Sequence, residues 1–281
     1  MTDSPTILIT GATDGLGRAL AQRLAAEDAK LILHGRDPGK LDAIADAMAS
    51  AGGGNGGRPR TVVADLSDLG QVRRLAEEIL STTPRLDVLV SNAGIGSGEP
   101  DGRTRRTSVD GYELRFAVNY LAGFLLTLAL LPLLRQSSPA RIVNVASLGQ
   151  SPLDFNDLML EHGYSGGRAY GQSKLAQIMS GFTLAGQVPA AEVTVNSLHP
   201  ATYMPTKMVL EEIGHTVDSL EVGVAAVHRL VTAPDVSGLT GKFFDRTREA
   251  RANDQAYDPH ARSELWERSL ELVALPDPFV A

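Results

Sequence analysis

The chain contains no cysteine, one tryptophan and only 5% aromatic residues. Without cysteine there is no disulfide, no thiolate metal site and no cysteine nucleophile. Histidine is sparse too: the six, at 34, 162, 199, 215, 228 and 260, show no HExxH-like or paired spacing, so no metal site is expected. An excess of positive charge is also lacking. The formal net charge is −7 with both signs interspersed, which argues against a nucleic-acid surface. The opening "MTDSPTILIT" has no basic stretch and too short an apolar run for a signal peptide, so a cytoplasmic protein is expected. The longest apolar run, "FAVNYLAGFLLTLALLPLL" at 116–134, carries Asn119 and Pro132 and falls short of the unbroken span of about 20 residues that a membrane needs. It reads as a buried helix.

What is present is a regular alternation. Short β-rich runs lie at 6–10, 31–34, 61–64, 86–90, 141–146, 193–198 and about 242–244, with helical patterns near 16–27, 38–50, 68–81, 110–135, 169–187 and 219–232. Strands alternating with helices predict a doubly wound, Rossmann-type α/β fold: a parallel sheet of about seven strands covered on both faces. No shift in composition marks a second domain, so residues 1–281 are read as one domain. The glycine-rich "AGGGNGG" at 51–57 follows a helix and precedes a strand, the wrong order for a phosphate loop, and reads as a surface turn.

The phosphate loop is at the start. "TILITGATDGLGRAL" gives a strand, then Gly11, Gly15 and Gly17, then a helix. Glycines there let backbone N–H groups approach a pyrophosphate at the positive end of the helix. Arg18 is a second candidate phosphate contact. At the end of the second strand, "LILHGRD" has Gly35 where room is needed and Arg36 as a fork of donors for a 2′-phosphate, which favours NADP(H) over NAD.

"RAYGQSKLAQ" at 168–177 puts Tyr170 and Lys174 four positions apart, on one helical face. A nearby cation favours phenolate and brings tyrosine towards the working range of an acid–base catalyst. Ser147 ends the fifth strand and "SNAG", with Asn92, Ala93 and Gly94, ends the fourth, at the rim where open α/β sheets bind ligands. Asn119 lies within an apolar helix, where an unpaired amide is costly, and should have a partner.

Together "TGATDGLG", "ADL" at 64–66, "SNAG", Asn119, Ser147, "YGQSK" and "HP" at 199–200 resemble the short-chain dehydrogenase/reductases over nearly the whole chain. The resemblance implies a catalytic set of Asn119, Ser147, Tyr170 and Lys174. Tyr170 would exchange a proton with the substrate oxygen, Ser147 would orient that oxygen, Lys174 would tune Tyr170 and hold the ribose, and Asn119 would hold a relay water. It also implies that Thr13, Leu16, Asp65, Leu66, Asn92, Ala93, Gly94, Pro200 and Thr202 line the cofactor, with Asp65 towards the adenine. "DGYELRFAVNYLAGFLLT", "FNDL" at 155–158 and "SELWERSLELVAL" are similar to the retinol dehydrogenase and protochlorophyllide reductase branch, whose members mostly use NADPH and bulky lipophilic substrates. The chain differs from that pattern in reading "HPATYMPT" where "HPGxVxT" is usual, Ser91 where asparagine is common, and Asp14 before Gly15.

The expected activity is hydride transfer between NADP(H) and a carbonyl or alcohol. Reduction of a conjugated C=C bond and an inactive NADP-sensing regulator are the alternatives. Two excursions, 149–168 and 202–217, are read as substrate-side walls, supplying Leu153, Phe155, Leu158, Met159, Leu160 and Tyr164, and Tyr203, Met204, Met208, Val209 and Leu210. Arg103, Arg105 and Arg106 stand near the same mouth, either greeting an acidic substrate or simply solvated. The apolar residues of helices 110–135 and 169–187 suit a homodimer or homotetramer interface, as the resemblance implies, and equally burial within one chain.

Overall fold

Three aspartates sit between a strand and a helix, and each turns its carboxylate onto a following backbone N–H: Asp14 onto Gly15, Asp37 onto Lys40 and Asp68 onto Gln71. Such caps satisfy donors that a helix start leaves open. In the computed structural model, which describes residues 4–51, 57–98, 102–212 and 214–280, they begin the first three helices. The chain runs β1 (Thr6–Ile9), α1 (Gly15–Ala25), β2 (Lys30–Gly35), α2 (Pro38–Ser50), β3 (Arg60–Val63), α3 (Leu69–Thr82) and β4 (Val88–Ser91). A continuous helix follows, made of α4 (Leu114–Phe116), a π-helical turn (Ala117–Leu121) and α5 (Ala122–Gln136). Then come β5 (Ala140–Val145), α6 (Gly166–Gln187), β6 (Val193–His199), α7 (Lys207–Glu212), α8 (Leu220–Thr232), β7 (Lys242–Asp245), β8 (Arg248–Ala250) and α9 (Pro259–Leu272).

The eight strands form one sheet in the order β3-β2-β1-β4-β5-β6-β7-β8. The first seven are parallel, and β8 turns back antiparallel on β7. This is the predicted doubly wound fold with one more strand at the edge. Period-two alternation assigns the faces. Leu8, Ile32, Val62, Leu89, Ile142, Val195 and Phe243 point into a core shared with α3, α5, α6 and α9. Ile7, Ile9, Leu31, Leu33, Val88, Val90, Val143 and Phe244 point into a second core with α1, α2 and α8.

By length and composition Leu114–Gln136 could cross a membrane, yet 78% of its most apolar window is buried inside the protein. The predicted helix at 110–135 therefore begins at Leu114, and the one predicted at 169–187 begins earlier, at Gly166. Residues 52–56 of the glycine-rich turn lie outside the described residues.

Candidate active site

The parallel strands deliver Gly11, Gly35, Asp65, Asn92 and Ser147 to one rim. The connection reverses between β1 and β4, the topological switch point at which such sheets bind ligands.

At that crevice the glycine loop is held in place by its neighbours. Gly11 has φ +66° and Gly15 φ +49°, in the left-handed region. A Cβ on Gly17 would lie 2.3 Å from the Gly11 carbonyl and 2.6 Å from Asn92 Nδ2. Asn92 donates through Nδ2 to the Thr10 and Gly11 carbonyls at 2.8 and 3.1 Å, and the Thr10 hydroxyl accepts from the N–H groups of Asn92 and Ala93. From the other side, His34 Nδ1 accepts from Gly11 N–H at 3.3 Å while Nε2 donates to the Ala64 carbonyl at 3.1 Å. Both ring nitrogens are used by a neutral imidazole, and burial lowers the His34 pKa to about 4. Sequence reading placed His34 among the uninformative histidines; its position, one residue before Gly35 at the strand end, was the available signal.

Leu16 is buried in the second core. Arg18 and Arg36 are exposed, and Asp37 caps α2 through Oδ1. The space beside Gly35 is already filled: a Cβ there would lie 2.5 Å from Thr13 Cγ2 and 3.3 Å from Leu41. Asp65 Oδ1 accepts from both the N–H and the hydroxyl of Ser67 at 2.9 Å, and Leu66 is buried beside it.

The predicted tetrad comes together. Asn119, 2% exposed, has the partners its burial requires. Oδ1 accepts from Ile95 N–H at 2.8 Å, and Nδ2 donates to the Ile95 carbonyl at 3.1 Å and to Ser173 Oγ at 3.0 Å. Ser173 in turn donates to the Tyr170 carbonyl at 2.8 Å. Lys174 Nζ donates to the Val145 carbonyl at 2.8 Å and stands 5.8 Å from the centre of the Tyr170 ring. Burial lowers the Lys174 pKa to about 8. A Cβ on Gly94 would sit 3.1 Å from Asn119 Oδ1 and 3.6 Å from Lys174 Nζ, and one on Gly149 would sit 3.4 Å from Ser147 Oγ and 3.7 Å from Tyr170 Cε1. Ser147 Oγ accepts from Gly149 N–H at 3.0 Å, which leaves its own hydrogen to donate. The cluster therefore presents a serine O–H donor, a phenol and an ammonium at one strand end.

Other predicted contacts divide. Pro200 is buried at the end of β6. Thr202 Oγ1 is engaged by His199 Nε2 at 3.1 Å and Arg246 Nη2 at 3.4 Å, in a network at the carboxyl ends of β6 and β7. Thr206, which sequence reading did not single out, lies over the glycine loop instead: a Cβ on Gly15 would be 3.0 Å from its Cγ2. The shifted spacing of "HPATYMPT" was the signal for it. Of the expected pocket walls, Leu153 and Leu158 are buried in the first core with Phe155 and Met159 packed on it, and Leu160 is buried too. Met204 is buried as well, whereas Leu148, Tyr203, Leu210 and Val217 are exposed. Arg105 Nε donates to the Met159 carbonyl at 2.8 Å, bracing the first excursion. Among the described residues no group of three or more histidine, aspartate or glutamate side chains could hold a metal.

A family profile described as short chain dehydrogenase matches residues 5–215. Mouse retinol dehydrogenase 14 is 34% identical over 293 residues, covering 96% of this chain and 86% of that protein. A putative daunorubicin C-13 ketoreductase from Streptomyces sp. (strain C5) is 34% identical over 279 residues, with 95% and 92% covered. The Pseudomonas aeruginosa RhlG/NADP complex superimposes with a TM-score of 0.68 at 27% identity, covering 86% of this chain and 94% of that one. The chain belongs to the short-chain dehydrogenase family. Within it, the similarity is to the retinol dehydrogenase-like branch, which makes this an oxidoreductase using a nicotinamide cofactor on a small-molecule carbonyl or alcohol. The close-packed glycine cradle at the start of α1 suits the pyrophosphate of such a cofactor.

Proposed function

We propose that the chain is an NADP(H)-dependent reductase or dehydrogenase of bulky lipophilic carbonyl or alcohol compounds, with Asn119, Ser147, Tyr170 and Lys174 as its catalytic machinery. The observation that carries this reading is the placement of Ser147 and Tyr170 together beside Gly149, with the Lys174 ammonium near the phenol. When bound, the cofactor supplies or accepts the hydride. Ser147 donates its free hydrogen to the substrate oxygen and orients it. Tyr170 gives its proton to that oxygen in reduction and takes one in oxidation, and the Lys174 cation favours the phenolate that results. Asn119 holds the loop that starts at Gly94 and, through Ser173, the turn that carries Tyr170.

The 2′-phosphate preference rests on Arg36 and Arg18, both exposed near the glycine loop, and on Asp37 being engaged as the cap of α2. NADP in a related structure supports it. The lipophilic preference rests on exposed Leu148, Tyr203, Leu210 and Val217, and on the names of relatives that act on retinol and on a daunorubicin-type ketone.

Ketones, aldehydes and enones assayed with NADPH and with NADH, followed by product analysis, test the proposal. NADPH is expected to bind at least about tenfold tighter than NADH, and Arg36→Ala to remove most of that margin, since a charge-assisted contact contributes roughly 1.5–3 kcal/mol. Tyr170→Phe should keep NADPH binding while turnover falls roughly 100-fold or more. Equal affinity for both cofactors overturns the NADP reading, and near-normal turnover in the phenylalanine variant overturns the role of Tyr170.

A further inference from the structure

Arg115 is fully buried, and no step of the proposed reaction uses it. A guanidinium out of water is costly unless its donors are met. Nε donates to the Gly96 carbonyl and Nη2 to the Ser97 carbonyl, each at 2.7 Å. Nη1 donates to the Tyr164 hydroxyl at 2.5 Å, which donates to Glu113 Oε1 at 3.1 Å. Glu113 Oε2 accepts from Phe116 N–H at 2.7 Å. Arg115 Nη1 and Glu113 Oε1 are 3.8 Å apart, so the phenol bridges the two charges.

Asn119 stands one helical turn further along and binds both backbone groups of Ile95. One helix therefore holds Ile95, Gly96 and Ser97 in succession. This loop leaves Gly94, beside Asn119 and Lys174, and ends against the first turn of α6. A Cβ on Gly166 would lie 2.0 Å from the Ser97 carbonyl oxygen, so only glycine permits that approach. Tyr164 immediately precedes Ser165, which caps α6, and Tyr170 lies in the second turn of that helix. Arg115 thus grips the loop leaving β4 on one side and the entry to the Tyr170 helix on the other.

We infer that Arg115 is a positioning residue for the reaction: with Tyr164 and Glu113 it fixes loop 95–97 against the start of α6 and thereby sets where Tyr170 stands over the substrate site. The inference rests on the proposed role of Tyr170. Two variants test it. Tyr164→Phe keeps the ring and removes the bridge, and Arg115→Lys keeps the charge but cannot reach two carbonyls and a phenol with one nitrogen. In hydrogen exchange without substrate, the amides of 95–98 and 165–168 should quicken together in both. With the carbonyl compound best reduced by the wild type, kcat per folded enzyme should fall about tenfold in Arg115→Lys, because small misplacements of reacting groups are costly. The NADPH dissociation constant should stay within about twofold, because the cofactor cradle is untouched. The isotope effect on kcat with NADPH deuterated at the transferred position should rise, which a merely smaller folded fraction would not produce. If Arg115→Lys does not fold, Tyr164→Phe carries both readouts. Quickening at 165–168 alone, or an unchanged kcat and isotope effect, overturns the inference. A wild type that reduces no carbonyl compound overturns the role of Tyr170, and the exchange result then judges the clamp by itself.

Discussion

His34 shows how one side chain can set a binding loop without touching a ligand. Its neutral ring ties Gly11 on the β1 side to Ala64 on the β3 side, and protonation removes the lone pair that accepts from Gly11. The folded pKa of about 4 lies below the ordinary 6.5, so as pH falls below 6.5 the unfolded chain binds the proton first and stability is lost down to about 4. Linkage gives a loss of about 2 kcal/mol by pH 5 from this group. His34→Asn can keep one donor and one acceptor, so the difference between its urea midpoints at pH 7 and pH 5 should be smaller than in the wild type. Gly35 shows what sequence reading caught and what it missed. The strand-end position marked the cofactor crevice, but the need for glycine there includes packing against Thr13 and Leu41, which depends on how α2 folds back. An aspartate at 35 would have to displace Thr13, so Arg36→Ala is the cleaner probe of cofactor choice.

The two excursions differ as elements, although both read as loops in the sequence. The first is pinned by three glutamines. Gln150 donates to the Ser147 carbonyl at 2.8 Å and accepts from Asn253 N–H at 2.7 Å, Gln255 holds both backbone groups of Leu153, and Gln172 accepts from Asp154 N–H at 2.9 Å. The second is tied at its neck, where Thr202 N–H donates to Asp218 Oδ2 at 2.7 Å and Asp218 N–H to the Thr202 carbonyl at 2.9 Å, with Arg246 on the same carboxylate. Its far part carries exposed Leu210. Limited proteolysis should therefore cut near Lys207 and spare 149–165. NADPH should slow the cut, because Thr206 lies against Gly15. Asp218→Asn, which weakens the neck, should speed it several-fold, since local opening governs cleavage. Cutting at 149–165 first would reverse this assignment. The ties between Gln150 and Asn253 and between Gln255 and Leu153 join segments about 100 residues apart, and no local pattern announces them.

At the scale of the whole molecule, α9 decides what the apolar helix faces are for. The "SELWERSLELVAL" segment carried a family resemblance but only a weak apolar stripe, so its partner was not legible. In the fold Trp266 packs edge-on against Phe124 with centroids 5.1 Å apart, Tyr120 shares a hydrogen bond with Ser269 at 2.7 Å, and Tyr112 donates to the Leu272 carbonyl at 2.8 Å. Of the two uses the sequence left open for these helices, burial within the chain accounts for the part under α9. Trp266→Ala should cost roughly 3–5 kcal/mol, as large cavities in cores do. Urea titration measures that cost, and a change of less than about 1 kcal/mol would show that α9 adds little to the core.

The ties from Gln255 and Asn253 to the segment behind Ser147 have a consequence for biogenesis. Translation completes β1 to β6, with the glycine loop, Ser147 and Tyr170, well before residue 253 leaves the ribosome. A nascent chain would therefore hold its glycine loop early, while the segment after Ser147 stays unbraced until residues 253–255 are made. The bracing beside Ser147 would arrive later than the means of gripping a cofactor.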